Sequence, residues 1–319
     1  MGKTHSVTIS PTNTGWMTAT GKLPVPFTND YLFCAMLQKN NLVLQSLICS
    51  LLHMEKKEVY SIEITNPIDL GKQIDKKTII LDIKLILNNS MIIDLEMQVI
   101  NEHNWPERSL LYLCRVFSEQ LPKGGEYIDA KPAIQIGILD FTPFPEYPEF
   151  FADYYMTNPK NQHVFSDKFR ISVLSLKQIE LATGEDKAYH IDTWARLFKC
   201  KDWREVQMLA KNNPDIQEAV TTIYQLTEDE KTRQMCERRE KALFVQHSLE
   251  HDYQKEKEKT VEQAQQISQL TSEKEQLASK NEQLASENTQ LTSEKEQLAS
   301  EVEQLKKLLK ENNIDLNKK

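Results

Sequence analysis

The chain has 319 residues, 39% of them hydrophobic and 27% charged, and a formal net charge of −8. No apolar run approaches the ~18–20 residues that cross a bilayer, and the opening stretch MGKTHSVTISPTNTGW lacks the apolar core of a secretory signal. A cytoplasmic protein with no membrane partner is expected. The acidic balance argues against a surface that coats nucleic acid broadly, although part of it lies in the tail, where eleven acidic residues from Thr260 onward outnumber eight basic ones.

Five cysteines (Cys34, Cys49, Cys114, Cys200 and Cys236) are scattered without a CxxC pair, so reduced thiols are expected rather than a zinc site or a disulfide framework. Residues 1–24, rich in Thr, Ser, Asn and Gly, read as a flexible N-terminal arm. An apolar stripe through Leu32, Phe33, Met36, Leu37, Leu44, Leu47, Ile48 and Leu51 predicts one helical stretch over 29–53. Strands are predicted over 59–64, 78–87 and 91–100, and then a helix over 105–120, ended by Pro122, Gly124 and Gly125. A buried strand is predicted over 133–139. Residues 141–160, with Pro143, Pro145, Pro148 and Pro159, read as an irregular connection. A strand over 169–174 precedes a helical region over 176–254, in which Trp194, Phe198 and Trp203 look like core positions. The order of helix, three strands, helix and strand is that of an α/β core over 25–175.

The tail, 255–319, differs in kind. Leu270, Leu277, Leu284, Leu291, Leu298 and Leu305 recur every seven residues, and neither Gly nor Pro interrupts 254–310. A strict heptad repeat predicts a left-handed coiled coil. With leucine at d, the a positions are Ile267, Lys274, Asn281, Asn288, Lys295, Val302 and Leu309. Buried Asn and Lys at a favour a low oligomer number, so a homodimer is expected. A basic-zipper transcription factor is excluded, because 251–266 alternates Lys with Glu instead of running on as a basic helix.

The segment TIILDIKLILNNSMIIDLEMQV, 78–99, carries the chemistry. Alternation puts Asp94, Glu96 and Gln98 on one face of one strand, and Ile80, Asp82 and Lys84 on one face of the other. Asn88, Asn89 and Ser90 form the turn of an antiparallel hairpin. A three-residue loop pairs Leu87 with Met91, and so Asp82 with Glu96 and Lys84 with Asp94. A two-residue loop would put the acids on opposite faces. Two carboxylates side by side repel unless a cation lies between them or one takes a proton, and hard oxygen ligands suit Mg²⁺ or Mn²⁺. The plainer alternative is an exposed sheet face with a Lys84–Asp94 ion pair. The seven histidines show no ligand spacing, and no GxxxxGK[ST] or GxGxxG occurs.

Several blocks resemble the recombination-promoting nuclease and putative transposase (Rpn) family of the PD-(D/E)xK nuclease superfamily. They are Thr28-Asn29-Asp30 with Phe33, the Asp82 strand, Glu96-Met97-Gln98, Pro106-Glu107-Arg108-Ser109 leading into Leu111-Tyr112, and Gly125-Glu126-Tyr127 before Ile134-Gln135-Ile136. They span about 25–240. The resemblance implies a metal-dependent endonuclease acting on double-stranded DNA, in recombination, mobile elements or phage defence. It implies Asp82, Glu96 and the Met97 backbone carbonyl as ligands of Mg²⁺ or Mn²⁺, and Gln98 where the superfamily usually has Lys. A Gln amide orients water but is no base. Asp30 matches an accessory acidic position, and Arg108 and Arg115 become candidate phosphate contacts. Two features depart from the pattern. Cys34 follows Phe33 where the family usually has a basic residue, and heptads replace the family's Gly- and charge-rich ends. The rival expectation is a nuclease fold that no longer cuts and binds DNA or a partner through its coiled coil.

Overall fold

The computed structural model describes residues 14–67, 82–121 and 123–311. The chain divides into two units, 1–248 and 249–319. The first is a mixed α/β unit built on one six-stranded sheet.

Instead of one long helix, two form at its start, α1 (Asp30–Lys39) and α2 (Asn41–Leu51). The apolar stripe runs through both, but Asn40 takes an extended conformation and its side chain accepts hydrogen bonds from the Leu42 and Val43 amides. A residue that caps a new helix competes with continuing the old one. Asn29 caps α1 in the same way, accepting from the Leu32 amide at 3.1 Å.

The sheet follows from β1 (Ile62–Ile64), β2 (Asp82–Leu87), β3 (Met91–Gln98), β4 (Ala133–Leu139), β5 (Phe151–Tyr155) and β6 (Phe169–Ser175). Of the strand expected over 78–87, residues 78–81 lie outside the described residues. The order is β1-β2-β3-β4-β6-β5. β3, β4 and β6 run parallel, and the pairs at both edges are antiparallel. β5, which sits in the proline-rich run expected to be irregular, adds to the sheet edge, where interruption of one side of a strand costs least.

One face of the sheet carries Ile83, Leu85, Ile93, Leu95, Met97, Ile134, Ile136 and Ile138. It packs into a single apolar cluster with α1, α2 and the helices of the region after β6. The short α4 (Gly184–Ala188) leads into α5 (Ile191–Lys199), α6 (Trp203–Ala210) and α7 (Pro214–Glu228), and these last three supply residues to the cluster. Trp194, Phe198 and Trp203 are buried there, and Phe33 meets Phe198 edge-on at 5.7 Å. Residues 1–13 of the expected arm lie outside the described residues. From Thr14 onward the chain is docked: Trp16 is buried and its indole donates to Thr221 Oγ1 on α7 at 3.0 Å. Burying an indole with its N–H satisfied outweighs the polar composition around it.

The opposite face is covered by α3 (Trp105–Ser118), with Leu113 and Val116 packed against Ile92 and Ala133. The last helix, α8 (Glu230–Glu311), begins in the first unit, where Cys236 is fully buried. In the second unit it continues as one helix with Leu270, Leu284, Leu298 and Leu305 about half exposed. Among the described residues no helix is long and apolar enough to cross a membrane.

Candidate active site

The β2–β3 turn is three residues long, with Asn88 and Asn89 both at positive φ (51° and 52°). Asparagine tolerates this left-handed region better than most residues. The resulting register pairs Leu87 with Met91, Asp82 with Glu96 and Lys84 with Asp94, as the odd-length turn requires. On β4, Gln135 lies beside Asp94 and Gly137 beside Glu96. With a period of two, Asp82, Asp94, Glu96, Gln98, Gln135 and Gly137 share the face under α3.

Asp94, Glu96 and Gln135 on this face are buried, and Asp82 and Gln98 are half-buried. Glu96 is 5% exposed, and Arg108 on α3 grips it: Nε donates to Oε1 at 3.1 Å, and Nη2 forms the ion pair. The guanidinium also lies 5.0 Å from the Tyr112 ring centroid. Gln98 Nε2 donates to the same Oε1 at 3.0 Å. Burial raises the Glu96 carboxyl above the ordinary carboxylate range, against the opposing pull of Arg108. Asp82 is anchored by Asn66, whose side-chain nitrogen donates to its backbone oxygen at 3.2 Å and to Oδ1 at 3.3 Å.

Asp94 is 1% exposed, and neither carboxyl oxygen has a hydrogen-bond donor among the described residues. Burial first, then the charge and contact of the Asp82 carboxyl, then the charge of Glu96, push it up to about 8. Two carboxyl groups so placed share a proton or hold a cation. The neighbouring Gln135 is fully buried, and both its amide atoms lack a hydrogen-bond partner among the described residues. The Lys84–Asp94 ion pair of the plainer alternative does not form: Lys84 turns to Glu119, just past the end of α3, at 3.6 Å.

α3 is held close by a small residue. A Cβ on Gly137 would lie 2.1 and 2.3 Å from ring atoms of Trp105, so only glycine lets the indole rest on β4 and bring Arg108 over Glu96.

The other sequence candidates fall in distinct places. Asp30 is 5% exposed and held by Arg239 of α8, whose Nε donates to both carboxylate oxygens at 2.9 and 2.7 Å. Cys34, one turn further along α1, has its thiol raised well above its usual range by burial and by the charges of Asp30, Asp82 and Glu96. Asp30 therefore belongs to the same electrostatic neighbourhood as the hairpin acids. Cys34 is fully buried, so the position where the family pattern carries a base points into the core here. Arg115 pairs with Glu119 at 2.9 Å on the exposed side of α3.

Among the described residues, no three His, Cys, Asp or Glu side chains converge as a ready metal-binding group. The donor chemistry still fits a hard cation, since Asp82 and Asp94 face each other and the Asp94 oxygens have no hydrogen-bond donor among the described residues. Glu96 would join them on leaving Arg108. Sequence reasoning passed over Asn66, Asp94 and Gln135. Strand parity puts Asp94 on the shared face, but nothing in the sequence alone marks it as a ligand.

A family model described as PD-(D/E)XK nuclease family transposase matches residues 27–248. No curated protein matches the chain, and no solved structure matches it.

Proposed function

Because the chain belongs to the PD-(D/E)XK nuclease family transposases, we propose that it is a metal-dependent DNA endonuclease working at the β2–β3 hairpin. The carrying observation is the buried carboxyl cluster in which Asp82 lies opposite Glu96 and against Asp94. Asp82, Glu96 and the Met97 carbonyl would hold Mg²⁺ or Mn²⁺, with Asp94 beside Asp82 as a further carboxylate for the ion. The bound ion would polarise the scissile phosphate and lower the pKa of a water.

This chain's own groups do the positioning. Gln98 holds Glu96 through Oε1 and, being uncharged, serves as an orienting group and not as a base. Asn66 fixes the Asp82 end of the cluster. Arg108 neutralises Glu96, and on giving up that carboxylate its guanidinium would be placed beside a phosphate. Asp30, its charge balanced by Arg239, would be an accessory acid of the site. Double-stranded DNA would be the substrate, in recombination, mobile-element or phage-defence settings, with a cytoplasmic location. The folded units would be a nuclease core over 25–175, a helical region over 176–254 and a tail that pairs with a second copy.

Plasmid cleavage by the full chain, with Mg²⁺ and with chelator, tests the reading. Wild type should nick only with metal, and Asp82→Ala and Glu96→Ala should each lose at least about a thousand-fold, roughly 4 kcal/mol of barrier. Equal nicking by all three, or none by any, would sink it. The second outcome is what a nuclease fold retained only for binding would give. The engagement of Glu96 Oε1 by both Arg108 and Gln98 favours that second reading.

A further inference from the structure

We infer that 267–309 pairs with a second copy of this chain as a parallel, in-register, two-stranded coiled coil. The inference rests on the self-association proposed above and adds its direction and register. The helix has no interruption through this stretch, and its d-position leucines are exposed, Leu270 by 64% and Leu298 by 61%. Such a stripe needs a partner helix to leave water. Its occupant is set by what the polar positions between the leucines can face.

In a parallel pair with matched register, every a position meets its own copy. Asn281 and Asn288 then face asparagine, and each side-chain amide can both donate and accept. Lys274 and Lys295 also meet lysine, but each is preceded by an acidic g residue, Glu273 and Glu294. Across the seam these glutamates flank the second copy's lysines, whose stems stay on the leucines while the ammonium groups reach outward.

The alternatives lose these matches. Reversing one helix sets a against d, so Asn281, Asn288, Lys274 and Lys295 would each lie against leucine. It also sets g against g, bringing Glu273, Glu287, Glu294 and Glu301 together with only Lys280 to offset them. Sliding one helix by a heptad keeps a single asparagine pair and places Lys274 on Ile267 and Lys295 on Val302. Only the matched parallel arrangement satisfies all seven a levels, Ile267 to Leu309. The two chains then enter the coil from the same end.

The test uses the full chain in a Cys114→Ser background, because Cys114 is an exposed thiol. Asn281→Cys and Val302→Cys are made separately, and solution mass is measured by light scattering before mild oxidation. The expected result is a mass of two chains, with both variants converting to a disulfide-linked dimer that thiol reductant reverses, and the background chain remaining uncrosslinked. An antiparallel pair brings only one helix level onto itself. These two positions are roughly 30 Å apart along the axis at 1.5 Å per residue, so both cannot crosslink in that arrangement. A two-chain mass with one or neither variant crosslinking overturns the direction and register while leaving self-association intact. A mass of three or more chains overturns the two-stranded coil, and a one-chain mass overturns self-association itself.

Discussion

Replacing Gly137 with alanine is expected to lower the melting temperature of the protein by roughly 6–12 °C. The added methyl would sit 2.1 Å from the Trp105 ring, far inside contact distance. The ring cannot retreat, because Trp105 is 2% exposed and packs with Leu139, Phe141 and Val173. Overpacking a filled site costs about 3 kcal/mol, and for a unit of this size each kcal/mol moves the midpoint by about 2–4 °C. The effect also reaches the chemistry. α3 can relieve the clash only by lifting from the sheet, which draws Arg108 away from Glu96. The double variant Gly137→Ala/Trp105→Leu should recover part of the loss, since the two positions touch and their effects cannot be additive. A Gly137→Ala midpoint within 2 °C of wild type would show that the Trp105 contact does not constrain β4.

Asp94→Asn is expected to stabilise the metal-free protein at pH 8, and to do so less and less as the pH is lowered. The Asp94 carboxyl is raised in the fold to about 8, above the ~3.9 of an unfolded chain. Between those values the folded state binds the extra proton. The stability contributed by this group is therefore full below about pH 4 and falls as pH rises towards 8. Discounted for sharing with Asp82, the cost at pH 8 is about 2–4 kcal/mol. Asparagine carries no charge, and its amide can donate to Asp82. Melting curves in chelator from pH 5 to 8 should fall for wild type and run nearly flat for the variant. Under the metal reading, Mg²⁺ takes over from the proton and should restore the wild-type midpoint at pH 8. Parallel curves for the two proteins would show that Asp94 is ionised in both states.

The hairpin was legible in the sequence because two local signals agree there. Alternation fixed the faces, and the two consecutive asparagines accommodate a three-residue turn of positive φ, so the pairing of Asp82 with Glu96 followed from parity alone. Where one local signal stood alone it misled. The stripe from Leu32 to Leu51 is helical throughout, and only the capping side chain of Asn40 divides it. β5 hides among prolines because an edge strand forms half as many ladder bonds and needs less from its sequence. The roles of Arg108 and Lys84 were not legible, since they depend on where α3 settles. That is decided by Gly137 and Trp105, 32 residues apart in the chain. Burial of Asp94 beneath that helix is likewise a tertiary result, with no trace in the alternating pattern of β3.

The start of α8 sets a practical boundary for dissecting the protein. Cys236 belongs to the main apolar cluster, its carbonyl accepts from the Asn29 side chain at 3.1 Å, and Arg239 closes on Asp30. A head domain ended at Glu228, where α7 stops, would leave a buried aspartate with no counter-charge and an open seam beside α1. Ending it after Ser248 keeps that plug and removes the second unit, the Lys/Glu stretch together with the leucine repeat, so the first cut should misfold and the second should crystallise as a self-contained head.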